Sequence, residues 1–301
     1  MEKDKIAKKN QRLINLIKHL HALMENDDLE KQRQSQEQLG ARFGTAKDTL
    51  YDAVDIDGME GEWVSMERAH LKKYVILHCH GGGYATGSSL YARNLTSKLA
   101  DASNMDVLCF DYRLAPEHKY PAALEDALKT WDYLLLHGYG AENIIVTGDS
   151  AGGNLALAMT MTLMEEGRAL PAGLVLFSPW TDMTASGESY RTKAEEDPIL
   201  DMEFIDAIVK SYAVEQDLKN PLLSPVFGNY KGFPPTLIQV GENEILLSDS
   251  LELAKVMEES QVEVEIEVFE GMWHVFQMTP LKNAKEAMNK AAEFMYRVLG
   301  I

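Results

Sequence analysis

From about Val54 onward, short β-rich apolar runs alternate with stretches whose apolar positions recur every three to four residues. Residues 54–56, 62–66, 74–79, 107–110, 144–147, 173–177, 236–240 and 262–269 read as eight strands, being short and rich in Val, Ile, Leu and Phe. Helical periodicity at 88–102, 122–136, 154–166, 248–260 and 281–299 fills the gaps between the later strands. Strands alternating with helices of that length predict an α/β fold built on a mostly parallel sheet with both faces covered. The stretch 181–233 breaks the rhythm with polar turns, one helical pattern at 204–212, and Pro198, Pro221 and Pro225, with Pro234 just beyond. An insertion of that length inside an α/β domain predicts a functional covering region rather than a connector.

Ahead of the first strand the texture differs. Leu13, Leu16, Ile17, Leu20, Leu23 and Met24 fall at helical spacing, and six basic side chains stand against two acidic ones over residues 1–24. Such a basic amphipathic helix either packs on its own domain or lies on a membrane surface, and the former is the expectation. A second helix is predicted at 29–43. The organisation is therefore an N-terminal helical segment (1–50), a catalytic domain in two pieces (51–180 and 234–301) and the insert (181–233).

Composition narrows the classes. Apolar residues make up 46% of the 301 and charged residues 25%, the balance of a folded globular chain. The net charge of −18 opposes a phosphate-backbone-binding surface, so nucleic acid is not an expected partner. Two cysteines are too few for a disulfide scaffold and fit a reducing compartment. With no signal-peptide pattern and no apolar window of about 20 residues, the expected location is cytoplasmic, with no stable membrane insertion.

The chemistry concentrates in three loops. Gly148-Asp149-Ser150-Ala151-Gly152 sits between a predicted strand and a predicted helix. There small residues permit a sharp turn that exposes a serine hydroxyl, and the following helix supplies an oriented amide from Ala151. A serine hydroxyl needs a base, an orienting acid and an oxyanion site. His80-Gly81-Gly82-Gly83 follows the strand at 74–79, where amides are unobstructed by side chains. A phosphate cradle is the rival reading, but no Lys-Ser/Thr follows and Gly81 to Gly87 does not match a dinucleotide fingerprint. His78 and His80 flank Cys79, yet no further cluster supplies the remaining ligands of a metal site.

Together with Asp111-Tyr112-Arg113-Leu114-Ala115-Pro116-Glu117-His118, these blocks resemble, in order and spacing, the signature of the hormone-sensitive-lipase-like esterases, from about residue 50 to the C-terminus. The resemblance implies an α/β-hydrolase fold with a helical cap and cofactor-free hydrolysis of carboxylic esters. It makes Ser150 the nucleophile and gives the oxyanion amides to Gly82, Gly83 and Ala151. His274, on the loop after the last strand, is the expected base. The acid is expected after the strand at 236–240, where Glu244 stands at a position many relatives fill with Asp; Asp249 and Glu242 compete for the role. Residues next to the motif loops, Tyr84, Trp180, Phe227, Leu246 and Phe276, are the expected pocket lining. The block at 111–118 reads as a turn buttressing the glycine loop.

The reading is thus a serine carboxylesterase for short- to medium-chain esters, acting on a small-molecule ester, with a homodimer left open. Amide hydrolysis or deacetylation by the same residues is the rival within enzymes. A small-molecule receptor built on the same fold is the rival outside them.

Overall fold

The computed structural model describes Leu13, Ile14 and residues 29–301. Eight strands form one sheet: β1 (Thr49–Ile56), β2 (Met59–Met66), β3 (Val75–Cys79), β4 (Asp106–Phe110), β5 (Ile144–Asp149), β6 (Gly173–Phe177), β7 (Thr236–Gly241) and β8 (Val264–Phe269). Their order is β1-β2-β4-β3-β5-β6-β7-β8, with β2 antiparallel to both neighbours and every pair from β4 to β8 parallel. The central strands β3, β5, β6 and β7 are buried at every residue, which is why they read as unbroken apolar runs. The edge strand β8 instead alternates valine, isoleucine and glutamate, the charged pattern that discourages further pairing at an open edge.

The period of two in the strands sorts the core onto two faces. Val75, Leu77, Ile144, Val146, Leu174, Leu176 and Ile238 point to one side, among Trp131, Leu155, Leu253 and Met257. Those last four belong to helices α3 (Ala122–Leu136), α4 (Ala151–Glu165) and α7 (Leu247–Glu259). Ile76, Ile145, Val175 and Leu237 point to the other side, packing on Leu95, Leu99, Met288, Phe294 and Met295 of α2 (Ser89–Ser103) and α8 (Lys282–Leu299). In α8 the buried Ala284, Ala287, Met288, Ala291, Phe294 and Met295 recur at helical spacing, so one stripe accounts for its docking.

Two boundaries differ from expectation for identifiable reasons. β1 begins at Thr49 rather than residue 54, because Asp57 (φ 50°) and Gly58 (φ 86°) make a tight turn that folds the whole of β1 back along β2. Helix α4 starts at Ala151 rather than 154, running through Gly152 and Gly153 despite their poor helix propensity. Close approach compels the glycine at 152: a Cβ there would lie 2.0 Å from the carbonyl oxygen of Cys79.

The insert between β6 and β7 carries the short helix α5 (Ser189–Thr192) and the helix α6 (Met202–Tyr212). Most of the basic amphipathic helix expected at the N-terminus lies outside the described residues. Leu13 and Ile14 are helical and pack, with Phe43 and Ile199, on a small cluster formed by Phe269, Met272, Trp273 and Phe276. Helix α1 (Leu29–Arg42) follows. Its Arg33 guanidinium donates to the carbonyls of Ala85 (2.9 Å) and Ala115 (3.1 Å) and pairs with both oxygens of Glu117, holding that carboxyl down to about 2. Glu37 accepts from the Ser88 hydroxyl at 3.0 Å. The N-terminal helix is thereby tied to the glycine loop and to the block at 111–118. No helix among the described residues is long and apolar enough to cross a membrane.

Replacing Arg33 with Met keeps the bulk of the side chain and removes its four hydrogen bonds. Because the Glu117 pair is largely solvated, the expected loss is about 1 kcal/mol, a fall in Tm of roughly 2–4 °C. Differential scanning fluorimetry reads it, and an unchanged Tm would show that the tether contributes nothing to the fold.

Candidate active site

Ser150 stands where β5 turns into α4, with φ 55° and ψ −121°, a backbone that L-residues adopt only under constraint. Glycines impose it: a Cβ on Gly148 would lie 2.2 Å from the Gly152 carbonyl oxygen. The Ser150 N–H donates to the Phe177 carbonyl at 2.9 Å, and its own carbonyl accepts from Trp180 at 3.1 Å, so the turn is fastened to the end of β6. Asp149, buried beside it, accepts the Gly81 N–H at 3.0 Å and lies 3.3 Å from His78 Nε2, while His78 Nδ1 meets the Thr147 hydroxyl at 2.9 Å. The serine turn and the glycine loop are one hydrogen-bonded unit.

The glycine loop has positive φ at Gly82 (114°) and Gly83 (62°). The Gly82 carbonyl accepts from Ala85, Thr86 and the Thr86 hydroxyl, closing a tight turn. Among the described residues, the N–H groups of Gly82, Gly83 and Ala151 have no hydrogen-bond acceptor. Ala151 is the first residue of a 15-residue helix, whose dipole favours negative charge there. The block at 111–118 buttresses this loop: the Tyr112 hydroxyl donates to the His80 carbonyl at 2.8 Å, its ring stacks on His80 at 4.1 Å, and Ala115 N–H donates to the Tyr84 carbonyl. Among the described residues, no group of three or more His, Cys, Asp or Glu side chains is arranged to hold a metal.

His274 lies on the loop after β8, and Glu244 on the loop after β7. Glu244 Oε2 is 3.7 Å from His274 Nδ1, an ion-pair contact longer than a hydrogen bond. Contacts of this kind shorten when reaction places positive charge on the ring. Glu244 is fully buried and accepts the Ser178 hydroxyl proton at 2.9 Å; the same hydroxyl accepts the Val275 N–H at 3.1 Å. Burial raises the Glu244 carboxyl above the usual carboxylate range, with the contacts to His274 and Ser178 opposing that rise. Burial by itself pulls the His274 imidazole down, but contact with Glu244 and the charges of Asp197 and Asp149 raise it, for a net rise.

Of the other acid candidates, neither is placed to orient the imidazole. Asp249 Oδ2 accepts the Thr181 and Asp182 N–H groups (2.7 and 2.9 Å) and the Tyr190 hydroxyl (3.2 Å), while Glu242 Oε2 accepts the Gly271 N–H at 2.9 Å. Two residues that sequence reasoning missed also hold the His274 loop. One is Ser178 (φ 48°); the other is Lys98 on α2, whose ammonium donates to the carbonyls of Gln277, Met278 and Thr279 at 2.8–3.1 Å and is pulled down to about 8 by burial.

Of the five residues expected to line one pocket, three fall in one apolar cluster and two lie outside it. Tyr84, Trp180 and Leu246 belong to the main core, Tyr84 with its hydroxyl on Asn154 (2.8 Å) and its ring stacked on Tyr212 at 3.9 Å. Phe276 belongs to the separate cluster around Trp273, and Phe227 is 41% exposed, with Lys219 over its ring. Core packing claimed four of them, because large apolar side chains next to motif loops are also the ones that support those loops. The side chains that lie against the glycine loop are instead Phe204 and Ile208 of α6: a Cβ on Gly83 would stand 3.0 Å from Ile208 and 3.3 Å from Phe204.

Residues 76–278 match the family described by the alpha/beta hydrolase fold, and the chain belongs to it. An esterase of Acinetobacter venetianus is 38% identical over 245 residues, covering 80% of each chain. An acetyl-hydrolase of Streptomyces hygroscopicus is 33% identical over 277 residues, 91% of this chain and 92% of its own. The crystal structure of an esterase from the bacterial hormone-sensitive lipase family superposes with a TM-score of 0.93 at 34% identity, covering 97% of this chain and 99% of that one. Within the fold, this chain is a hormone-sensitive-lipase-like esterase, a carboxylic ester hydrolase.

Asp249→Asn keeps a carbonyl oxygen for the three donors now gathered on Oδ2 but weakens them by losing the charge, and buries an NH2 group where the unpartnered Oδ1 stands. The expected cost is about 1–3 kcal/mol, read as a Tm lower by several degrees, with kcat within about fivefold of the parent protein. A loss of kcat by ~10³ at unchanged Tm, the size seen when a triad acid is lost, would instead return Asp249 to the chemistry.

Proposed function

We propose that this enzyme hydrolyses short- to medium-chain carboxylic esters through Ser150, His274 and Glu244 by way of an acyl-enzyme. The observation that carries the reading is the fully buried Glu244 carboxylate facing His274 Nδ1, beside a nucleophile turn already bonded to the glycine loop. His274 Nε2 takes the Ser150 proton as Oγ attacks the ester carbonyl. The negative charge that forms on the carbonyl oxygen is met by the N–H groups of Gly82, Gly83 and Ala151. Collapse breaks the ester C–O bond, and the imidazolium returns its proton to the leaving alcohol. Water then attacks the acyl-enzyme with His274 again as base, releasing the acid and restoring Ser150. Glu244 holds the imidazole tautomer and offsets the imidazolium charge without taking the proton.

Acyl length follows from what covers the glycine loop. Phe204 and Ile208 of the insert touch Gly83, so residues 181–233, with residues 1–50, act as a cap that encloses a compact pocket. The acetyl-hydrolase among the relatives supports a short acyl group. Cys79 and Cys109, both free and buried, fit a reducing cytoplasmic location.

Ser150→Ala is expected to lower kcat by about 10⁶ at nearly unchanged Tm, and Glu244→Gln by roughly 10³–10⁴. Since His274 acts as base only when neutral and its protonated form is stabilised, kcat/KM falls as pH drops through a value above the ~6.5 of a free imidazole. Stopped assays from pH 5 to 9 measure this; a flat profile would remove His274 from the role of base.

On a panel of p-nitrophenyl esters, kcat/KM is expected to peak among acyl groups of about two to eight carbons, the range a compact enclosed pocket admits. Turnover that jumps above the critical micelle concentration of a long-chain ester would overturn the compact-pocket reading.

A further inference from the structure

Between α5 and α6 the insert carries Asp197, a carboxylate only 6% exposed. Its Oδ1 accepts the N–H groups of Ile199 and Leu200 at 2.9 and 3.0 Å, which fixes the side chain within the insert. Its Oδ2 reaches across to a different element and accepts the N–H of Ile245 at 2.9 Å. Ile245 directly follows Glu244, and its carbonyl is held as well, by the hydroxyl of Ser189. Ser189 also exchanges hydrogen bonds with Ser248, each backbone N–H donating to the other's hydroxyl at 2.9 Å. Both polar groups of the residue beside the acid are thus gripped by the insert.

Asp197 also faces the base electrostatically. The charged groups acting on His274 are Glu244 from the loop after β7, Asp197 from the insert and Asp149 from the serine turn. Burial raises the Asp197 carboxyl, and His274 together with the three backbone donors opposes that rise. A carboxylate this buried is costly unless donors and a countercharge satisfy it, and here the countercharge is the group that gains a proton in each half-reaction.

We propose that Asp197 is a positioning residue for ester hydrolysis: through the Ile245 amide it sets the direction of Glu244, and from beyond ion-pair distance its buried charge helps to carry the imidazolium of His274. The inference rests on the Ser150, His274 and Glu244 reading. It gives the insert a part in the chemistry beyond covering the site, since the alignment of the acid depends on the insert being seated.

The test compares Asp197→Asn, Asp197→Glu and Ser189→Ala with the parent enzyme and with Glu244→Gln, using p-nitrophenyl butyrate and rates normalised to sites titrated by a phosphonate. In Asp197→Asn one acceptor face becomes a donor and the charge is lost. The expected result is kcat lower by about 10–100-fold with KM within about twofold, and the acid limb of the kcat/KM profile displaced to lower pH by about half a unit. Asp197→Glu keeps the charge, so its limb stays with the parent enzyme while kcat falls about 5–20-fold through the altered geometry. Ser189→Ala loosens Ile245 without touching charge, so kcat falls a few-fold with no displacement. An unmoved limb in Asp197→Asn, or a parent-like kcat in that variant, overturns the proposal. If Asp197→Asn does not fold, a parent-like kcat in Asp197→Glu overturns it and the stated loss at constant KM supports it. Glu244→Gln separates the two failures: near-parent activity there removes the triad reading itself, whereas an inactive Glu244→Gln beside a parent-like Asp197→Asn removes only the role of Asp197.

Discussion

The close approach of the α4 N-terminus to the end of β3 is the constraint on which the rest depends. Gly152 passes so near the Cys79 carbonyl that no side chain fits, and the Asp149 carboxylate crosses the gap to the Gly81 N–H. That approach accompanies the positive φ of Ser150 and fastens the first turn of α4 to the glycine loop, where the N–H groups of Gly82, Gly83 and Ala151 are unused among the described residues. Two backbone segments about 68 residues apart in sequence thereby become one rigid edge, and rigidity is what allows N–H dipoles to be in place before charge develops.

Much of this was legible from sequence because glycine spacing is a backbone statement. Gly148, Gly152 and the run Gly81 to Gly83 declare where the chain must turn or approach closely, and the serine and histidine positions follow from strand ends. The strands were legible because the alternation of valine or isoleucine with glutamate in β8 and the unbroken apolar runs in the centre leave different traces. Strand β1 was read short, because its mixed burial and acidic residues hide a strand whose partner lies just across a two-residue turn.

What sequence concealed are the polar side chains that act over long separations. Ser178 joins Glu244 to Val275 across 66 and 97 positions, and Lys98 reaches the carbonyls after His274 across about 180. A serine after a strand and a lysine on an amphipathic helix have ordinary local surroundings, and only the fold shows that they meet Glu244 and the His274 loop. The pocket expectation has the converse weakness: proximity of an aromatic residue to a motif does not distinguish a lining side chain from one that supports the motif, as Tyr84 does through its hydrogen bond to Asn154.

The same contrast bears on which buried carboxylate serves as the acid of the proposed triad. Asp249 gathers three donors on one oxygen, and Asp197 takes three backbone N–H groups across both. Those donors offset part of the cost of burial, which still raises both carboxyls. Glu244 receives one donor, the Ser178 hydroxyl, and its Oε1 has no partner among the described residues. A fully buried carboxylate left so poorly compensated is unfavourable for stability. In the proposed triad its remaining field is directed at His274, where positive charge appears only during reaction. An acid satisfied by several backbone donors would have less attraction left for the imidazolium. Asp249 leaves its Oδ1 without a partner as Glu244 leaves its Oε1, so what separates the two is where the charge is directed: Glu244 Oε2 lies 3.7 Å from His274 Nδ1, and a carboxylate with one hydrogen bond of its own is aimed by the chain on either side of it.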